Sequence, residues 1–232
     1  MWTGLTVLSL DLDDTLWDVE PVLVRAETKL SAWLGEHYPR VLALHEPLAA
    51  RARRAEVAAR YPHRAHDLSF VRTESLRLMA VEAGYEAGIA EEAFRVFHAA
   101  RNDVRPYDEV PAALERLGRR YTLAALTNGN ADIARTPLAA HFRFGVSPVD
   151  AGVAKPDPRI FEHLFAVAAV RPSQVLHVGD DPVTDVAGAR AAGCRSVWLN
   201  RRGSEWPSGL ARADAEVRDL TGLAELLGDP ST

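Results

Sequence analysis

The sequence predicts an α/β protein: a three-layer, Rossmann-like core built on a parallel sheet, with an all-helical domain inserted into it. Three observations predict this fold. Short apolar runs alternate with segments of helical spacing in the second half of the chain, as in parallel βαβ units. A further apolar run lies near the start, and the stretch that follows it has helical spacing and few strand signals. We expect a core domain at residues 1–16 and 106–232 and a helical domain at 17–105.

The first strand is expected at Leu5–Leu10, whose length and composition are typical of a buried strand. In the inserted stretch, apolar residues recur at helical spacing and predict about four helices. The spacing is clearest in Val22–Leu34, Leu68–Ala80 and Ala93–Phe97. The helices are expected to break near Tyr38-Pro39, near Tyr61-Pro62 and between Gly84 and Gly88, because proline and glycine interrupt helices.

The second half of the chain alternates helices with strands. Helices are expected at Val110–Leu117, Asp132–His141, Pro158–Val170, Pro182–Ala192 and Leu220–Leu227. Strands are expected at Tyr121–Leu126, Phe144–Ser147, Val175–Val178 and Ser196–Leu199. Pro111 suits the first turn of its helix, where a backbone N–H has no partner to lose. The end of the chain, from 228 to 232, is expected to be frayed.

Composition excludes several classes of function. The chain has 232 residues, 47% of them hydrophobic, and a formal net charge of −5, which argues against nucleic acid as a main partner. The one cysteine, Cys194, allows no internal disulfide, and its small neighbours indicate a packed core thiol. No apolar stretch approaches the length of a membrane span, and the first apolar run is too short for a signal peptide. We expect a cytoplasmic protein without membrane partners.

Asp11-Leu12-Asp13-Asp14-Thr15 directly follows the first predicted strand. Residues two apart in an extended segment share one side of the backbone, so Asp11 and Asp13 are expected to face the same way. Such a pair can serve as nucleophile and as general acid and base in phosphoryl transfer. The competing interpretation is an acidic turn that caps a helix, which suits Asp14 and Thr15 as well as a catalytic loop does.

A second acidic signature, Gly179–Asp185, directly follows another predicted strand. Carboxylates gathered at one edge of a sheet repel each other unless a cation joins them, so a hard divalent ion such as Mg²⁺ is implied. Asp180 is the best-placed ligand because it comes immediately after the strand. Asp181 and Asp185 are expected to hold the ion through water or to support its ligands, and Asp181 could instead cap the following helix.

Two further segments offer groups that bind phosphate. Thr127-Asn128-Gly129 ends a predicted strand, where the Thr127 hydroxyl and nearby backbone N–H groups can bind an anion; an ordinary Asn-Gly turn is the alternative. Lys155 lies in a loop stiffened by two prolines, and its ammonium group can bind a phosphate and balance the acids. The alternative for Lys155 is a solvated surface lysine.

These motifs resemble those of the haloacid dehalogenase superfamily, in its phosphatase branch with a helical cap inserted after the first motif. The match covers Asp11–Leu16, Thr127–Gly129, Lys155-Pro156, and Gly179-Asp180 with Asp185. The resemblance implies that Asp11 is the nucleophile and a magnesium ligand, and that Asp13 is the acid and base and binds magnesium through its carbonyl. It also implies that Thr127 and Lys155 hold the phosphoryl group and that Asp180 completes the metal site.

Dehalogenases proper generally lack an acid at the position of Asp13, so the resemblance favours phosphate esters over carbon–halogen bonds. The sequence at residues 11–18, 126–130 and 176–186 is similar to the sequences of bacterial phosphatases of flavin metabolism. Those enzymes act on 5-amino-6-(5-phosphoribitylamino)uracil and flavin mononucleotide. We expect a small phosphate ester as substrate and a monomer or homodimer. A phosphomutase, or a catalytically silent module that binds phosphoproteins, remains the alternative.

Three residues of the helical domain or its edge are candidates for substrate choice. Trp17, beside the nucleophile loop, could stack on a flat heterocycle, although packing within the protein is the competing interpretation. Arg51 and Arg54 lie in a basic stretch, which either attracts anions to the entrance of the site or forms an ordinary solvated helix face.

Overall fold

A computed structural model describes residues 2–45 and 47–228 of the chain, without the side chains of 47–49. The chain divides into two compact units. An α/β unit contains the residues up to Asp18 and those from Arg105 onward, and a helical unit contains Val19–Val104. The expected frayed end, from 229 onward, lies outside the described residues.

The α/β unit is built on a parallel sheet, as the sequence predicts. Its described strands are β1 (Val7–Leu10), β2 (Thr122–Leu126), β3 (Phe144–Val146), β4 (Val175–Gly179), β5 (Arg195–Leu199) and β6 (Ala215–Val217). They form one sheet in the order β3-β2-β1-β4-β5-β6, and each neighbouring pair is parallel. Val7 of β1 is in register with Thr122 on one side and with Val175 on the other, so β1 lies between β2 and β4.

The helical unit contains five α-helices within the described range. These are α1 (Val19–His37), α2 (Pro39–Leu44), α3 (Pro47–Arg60), α4 (Leu68–Glu82) and α5 (Ile89–Arg101). Breaks fall at the three predicted places, near Pro39, near Pro62 and between Gly84 and Gly88, whereas the break after Leu44 was not predicted. Every fourth residue of α1 from Val22 to Leu34 is buried, and this stripe joins residues of α5 such as Phe97 in one apolar core. No helix in the described part of the chain combines the length and apolar character needed to span a bilayer.

The remaining helices cover the sheet of the α/β unit. They are α6 (Val110–Gly118), α7 (Pro148–Ala151), α8 (Pro158–Ala168), α9 (Gly188–Ala191) and α10 (Leu220–Leu226). The apolar face of α8, including Phe161 and Leu164, packs on β1, β2 and β4. Cys194 is buried in the same core with its Sγ 3.3 Å from the carbonyl of Ala189, which confirms the prediction of a packed thiol. Burial raises the pKa of this thiol to about 12.

Two predicted helices take other forms. Residues 132–141 form two 3₁₀ turns instead of a helix, because Asp132 caps the first turn and Pro137 interrupts the segment. The segment 182–192 begins as a π-helical turn, Pro182–Ala187, and becomes α-helical only in α9. The carbonyl of Asp181 accepts N–H groups from both Asp185 and Val186, which widens this turn.

The sequence did not predict β6, and the expected start of the helical domain, at residue 17, lies two residues before the start in the structure, at Val19. The segment Ala215–Val217 is three residues long with a glutamate at its centre, so it carries little strand signal. Trp17 and Asp18, expected in the helical domain, belong to the α/β unit. The loop after β1 folds back on itself there, because the N–H of Asp14 donates to the carbonyl of Trp17 at 2.8 Å.

Candidate active site

The sheet brings the ends of three adjacent strands together. Asp11 follows β1, Thr127 follows β2 and Asp180 follows β4, and β1 lies between the other two strands. The N–H of Asp11 donates to the carbonyl of Val178 at 2.9 Å and so continues the ladder with β4. Because carboxyl ends of parallel strands share one edge, residues far apart in the chain meet at that edge.

Lys155 lies at the centre of this edge, with its side chain only 1% exposed. Its Nζ donates to Asp11 Oδ1 at 2.7 Å, to Asp185 Oδ1 at 2.6 Å and to the carbonyl of Leu126 at 2.8 Å. Burial alone would lower the pKa of Lys155, but the two carboxylates outweigh burial and raise it above its ordinary value. The residue is therefore a permanent buried cation and not a solvated surface lysine.

Asn128 holds the backbone of Lys155 in place. Its side-chain amide donates to the Lys155 carbonyl at 2.9 Å and accepts the Lys155 N–H at 2.7 Å. The N–H of Gly129 donates to Thr127 Oγ1 at 2.9 Å. The Asn128 side-chain amide and the Gly129 N–H thus make contacts within the protein, as the alternative of an ordinary Asn-Gly turn expects. Binding of a phosphate by Thr127 stays a prediction.

Three carboxylates converge near Lys155. Oxygen atoms of Asp11, Asp180 and Asp185 lie within 4.8 Å of one another. Burial, and then the charges of Asp185 and Asp14, raise the pKa of Asp180 to about 7. Burial also raises the pKa of Asp11, although Lys155 opposes that shift. One ammonium group does not balance three carboxylates, and an all-oxygen donor set suits a hard cation such as Mg²⁺, so these residues fit the metal that the sequence implies.

Asp185 is held from several directions. Its Oδ1 contacts Lys155 and also His177 Nε2 at 3.2 Å, and its Oδ2 accepts the N–H of Asp181 at 2.9 Å. Burial opposes ionisation of Asp185, but Lys155 and His177 outweigh it and keep the pKa of this carboxyl below its ordinary value. Asp185 is therefore an ionised carboxylate whose oxygens both have protein partners.

His177 and Ser9 complete this network, and the sequence analysis missed both. Ser9 Oγ lies 3.0 Å from His177 Nδ1, and both residues are fully buried. Burial lowers the pKa of His177, so the ring is neutral at physiological pH. The two residues are register partners on β1 and β4. A signal was present, because each is a polar residue inside an otherwise apolar strand.

Asp181 and Trp17, which the sequence offered for the metal and for the substrate, make contacts within the protein. Asp181 Oδ1 accepts the N–H groups of Val183 and Thr184 at 2.9 Å and 2.6 Å. This is the capping alternative, and Asp181 is not in the group of three carboxylates. Asp13 Oδ1 accepts the indole N–H of Trp17 at 2.9 Å, and Trp17 is fully buried. The Trp17 indole therefore packs inside the protein and orients the Asp13 carboxylate, which is the packing interpretation and not stacking on a substrate.

Arg201, in the loop after β5, fastens the loop that carries Asp11 and Asp13. Its guanidinium donates to the Thr15 carbonyl at 3.1 Å and 2.8 Å and to Glu109 Oε1 at 2.7 Å. The same group stacks over the ring of Tyr107 at 3.9 Å. Sequence reasoning gave this residue no role because its partners come from two distant loops. Arg51 and Arg54 lie on α3, in the other compact unit.

Comparison with known proteins agrees with this fold. Residues 5–193 match the model of the haloacid dehalogenase-like hydrolase family. The chain is 30% identical to the 5-amino-6-(5-phospho-D-ribitylamino)uracil phosphatase YigB of Escherichia coli, over 96% of each protein. It is 35% identical to a phosphoserine phosphatase of Thermus thermophilus, over 92% of this chain and 96% of that one.

A solved structure described as a 2-haloacid dehalogenase from Pseudomonas syringae superposes with a TM-score of 0.91. It is 37% identical and covers 96% of this chain and 98% of its own. Similarity thus extends to proteins described as phosphatases and to one described as a dehalogenase. The chain is a hydrolase that belongs to the haloacid dehalogenase-like family.

Proposed function

We propose that this hydrolase cleaves small phosphate monoesters with the help of Mg²⁺, through a covalent aspartyl-phosphate on Asp11. The observation that carries the proposal is the placement of Lys155 Nζ between Asp11 and Asp185, with Asp180 beside them. A phosphoryl group brings several negative oxygens, so its site needs concentrated positive charge at the nucleophile. A buried lysine and an all-oxygen cation site next to one carboxylate meet that need.

The chain's own residues would act in two steps. The Asp11 carboxylate attacks phosphorus while Asp13 gives a proton to the departing alkoxide oxygen. Asp13 then takes a proton from water, which attacks phosphorus and frees Asp11 and inorganic phosphate. Lys155 and Thr127 hold the transferring oxygens, and Asp185 keeps Lys155 in place. Mg²⁺, held by Asp11, Asp180 and the carbonyl of Asp13, would supply Lewis-acid stabilisation of charge on the phosphoryl oxygens.

Phosphate esters are favoured over haloacids by a chemical requirement. A departing alkoxide needs a proton, whereas a departing halide does not, and Asp13 lies two residues beyond the nucleophile with its carboxylate oriented by Trp17. Two relatives that span nearly the whole chain are phosphatases by name, which supports the same choice. For the substrate we propose 5-amino-6-(5-phosphoribitylamino)uracil or flavin mononucleotide, with the helical unit acting as a cap that selects it.

The test is hydrolysis of p-nitrophenyl phosphate with Mg²⁺ and after chelation by EDTA. We expect activity only with the metal. Asp11→Asn should be inactive while it remains folded by circular dichroism, and Asp219→Asn, which keeps the cap of α10, should retain activity. An active Asp11→Asn enzyme would overturn the mechanism.

A panel of phosphorylated metabolites that includes flavin mononucleotide and phosphoserine then identifies the substrate. Phosphate retained on a sugar product would indicate a mutase.

A further inference from the structure

The helical unit contains a large cavity of its own. Its volume is about 850 Å³, and every described residue that lines it lies within Val19–Val104. Protein interiors rarely leave voids larger than a water molecule, whereas pockets for small molecules measure roughly 300–1,000 Å³. The cavity therefore has the size of a ligand site and not of a packing defect.

Most of the wall is apolar. Leu30 and Leu34 of α1 and Leu76 and Met79 of α4 line the cavity, and all four are buried. Leu23 and Val24 line it as well and are 37% and 59% exposed. These surfaces suit the hydrocarbon or aromatic body of a ligand.

The polar part of the wall is cationic. Among the described residues, three arginines line the cavity against a single glutamate: Arg51, Arg54, Arg72 and Glu27. Glu27 Oε1 lies 2.9 Å from Arg72 Nη1 and 3.6 Å from Arg54 Nη2, so two guanidinium groups share one carboxylate oxygen. Positive charge is therefore in excess among the described side chains of the wall.

Arg72 and Arg54 differ in how firmly they are held. The Arg72 side chain is 11% exposed, and its guanidinium stacks over Phe97 at 3.5 Å. Burial lowers its pKa to about 10, which reflects the cost of keeping this charge away from water. Arg54 lies beyond hydrogen-bond distance of Glu27, and no other described residue accepts a hydrogen bond from it. Within the part of the chain that the structure describes, the N–H groups of Arg54 can therefore meet a ligand.

We propose that this cavity binds an amphipathic anion, a molecule with an apolar body and one carboxylate or sulfonate group. The body packs against the leucine and methionine wall, and the anionic group pairs with Arg54 and Arg51. The bound anion balances the charge that Glu27 leaves uncompensated. Every described residue that lines the site belongs to the helical unit, and the proposal does not depend on the proposed phosphatase activity.

The test uses 1-anilinonaphthalene-8-sulfonate as the anionic probe and N-phenyl-1-naphthylamine as its uncharged counterpart. We expect saturable binding of the anionic dye at one site, with its fluorescence enhanced. Arg54→Gln and Arg51→Gln should each weaken this binding by about tenfold, as expected for loss of a charge-assisted contact. Binding of the uncharged dye should not change in these variants. Ser31→Trp, which places an indole at a half-buried lining position, should reduce binding of both dyes.

Arg60→Gln is the matched control, because Arg60 lies on the same helix, α3, and does not line the cavity. Circular dichroism and thermal unfolding identify any variant that binds dye merely because it is loosened. Equal affinity of the anionic dye for Arg54→Gln, Arg51→Gln and Arg60→Gln would overturn the proposal. So would undiminished binding of both dyes by folded Ser31→Trp. Each readout is binding, so an inactive phosphatase leaves this test unaffected.

Discussion

Lys155 supplies the positive charge that offsets the carboxylates of Asp11 and Asp185 in the candidate active site. The chain has two lysines, and the other, Lys29, has a side chain that is 58% exposed and lies 3.6 Å from Asp103. Replacing Lys155 by Met would leave Asp11 and Asp185 as buried carboxylates without their ammonium partner. We expect a loss of about 3–5 kcal/mol in the free energy of unfolding, measured by urea denaturation near neutral pH with EDTA present.

The same variant should show a characteristic dependence on pH. In the wild type, the lowered pKa of Asp185 contributes stability that is present above the ordinary aspartate pKa and is lost as the pH falls through the folded value. Without Lys155 that contribution disappears, so the difference from the wild type should be largest near neutrality and shrink in acid. Lys29→Met is the control and should change stability by less than about 0.5 kcal/mol. A destabilisation that is independent of pH would contradict this explanation.

His177 should act on the metal site through Asp185. Because its neutral ring bridges Ser9 and Asp185, His177→Asn should free the Asp185 carboxylate to rotate. We expect the dissociation constant for Mg²⁺ to rise by about 10–100-fold, measured by calorimetry, with a smaller change in the KM for the phosphate ester. His163→Asn, a half-buried histidine on α8, serves as the control. Unchanged metal affinity in His177→Asn would show that Asp185 does not need this support.

At the scale of elements, β4 must end in a glycine. A Cβ atom on Gly179 would overlap the carboxyl group of Asp185, which lies directly against the end of the strand. Gly179→Ala should therefore displace Asp185 and lower the free energy of unfolding by about 1–3 kcal/mol, together with a loss of metal affinity.

Gly118, in the last turn of α6, provides the comparison for this substitution. Its nearest neighbour to an added Cβ is Leu123 Cδ1 at 3.7 Å, an ordinary contact. Gly118→Ala should be neutral or slightly stabilising, since alanine favours helix more than glycine does. Chemical denaturation of both variants, with Mg²⁺ titrations, makes the comparison. Similar effects at the two positions would argue against a steric requirement at the end of β4.

The strands that carry the site could be predicted because each is a short apolar run with turn residues after it. β6 could not, since Ala215–Val217 is short and half-exposed. The segment 132–141 has helical spacing, but its capping aspartate and its proline favour tight turns. The π-helical turn after β4 arises because the Asp181 carbonyl accepts two backbone N–H groups. The spacing of apolar residues does not predict such a contact.

The site itself was predictable to the extent that it follows strand ends. Asp11 and Asp180 meet because a parallel sheet gathers such ends at one edge, and Lys155 reaches them from the loop that follows α7. The use of Asn128 on the Lys155 backbone and of Arg201 on the Thr15 carbonyl depends on loop conformations. Loop conformations leave no periodic pattern of apolar residues in the sequence, so these contacts were not predicted.

For the molecule as a whole, the helical unit has a core that belongs to it alone. The buried residues of this core all lie within Val19–Val104: Ala26, Leu30, Leu34, Val41, Leu76, Met79, Ala83, Ala90, Ala93, Phe97 and Ala100. We expect residues 19–104, expressed alone, to give a helical circular dichroism spectrum and a cooperative thermal transition. A broad, non-cooperative transition would mean that this unit needs the α/β unit in order to fold.

The position of β1 between β2 and β4 has a consequence for synthesis of the chain. The ribosome makes this strand first, yet both of its neighbours are translated only after the helical insertion. Residues 11–174 must be added before β4 begins to emerge, which takes on the order of ten seconds at typical elongation rates. The side of β1 that pairs with β2 stays open until residue 126 has been made, and the side that pairs with β4 stays open for the whole interval. Nascent β1 is therefore the segment that chaperones would need to shield.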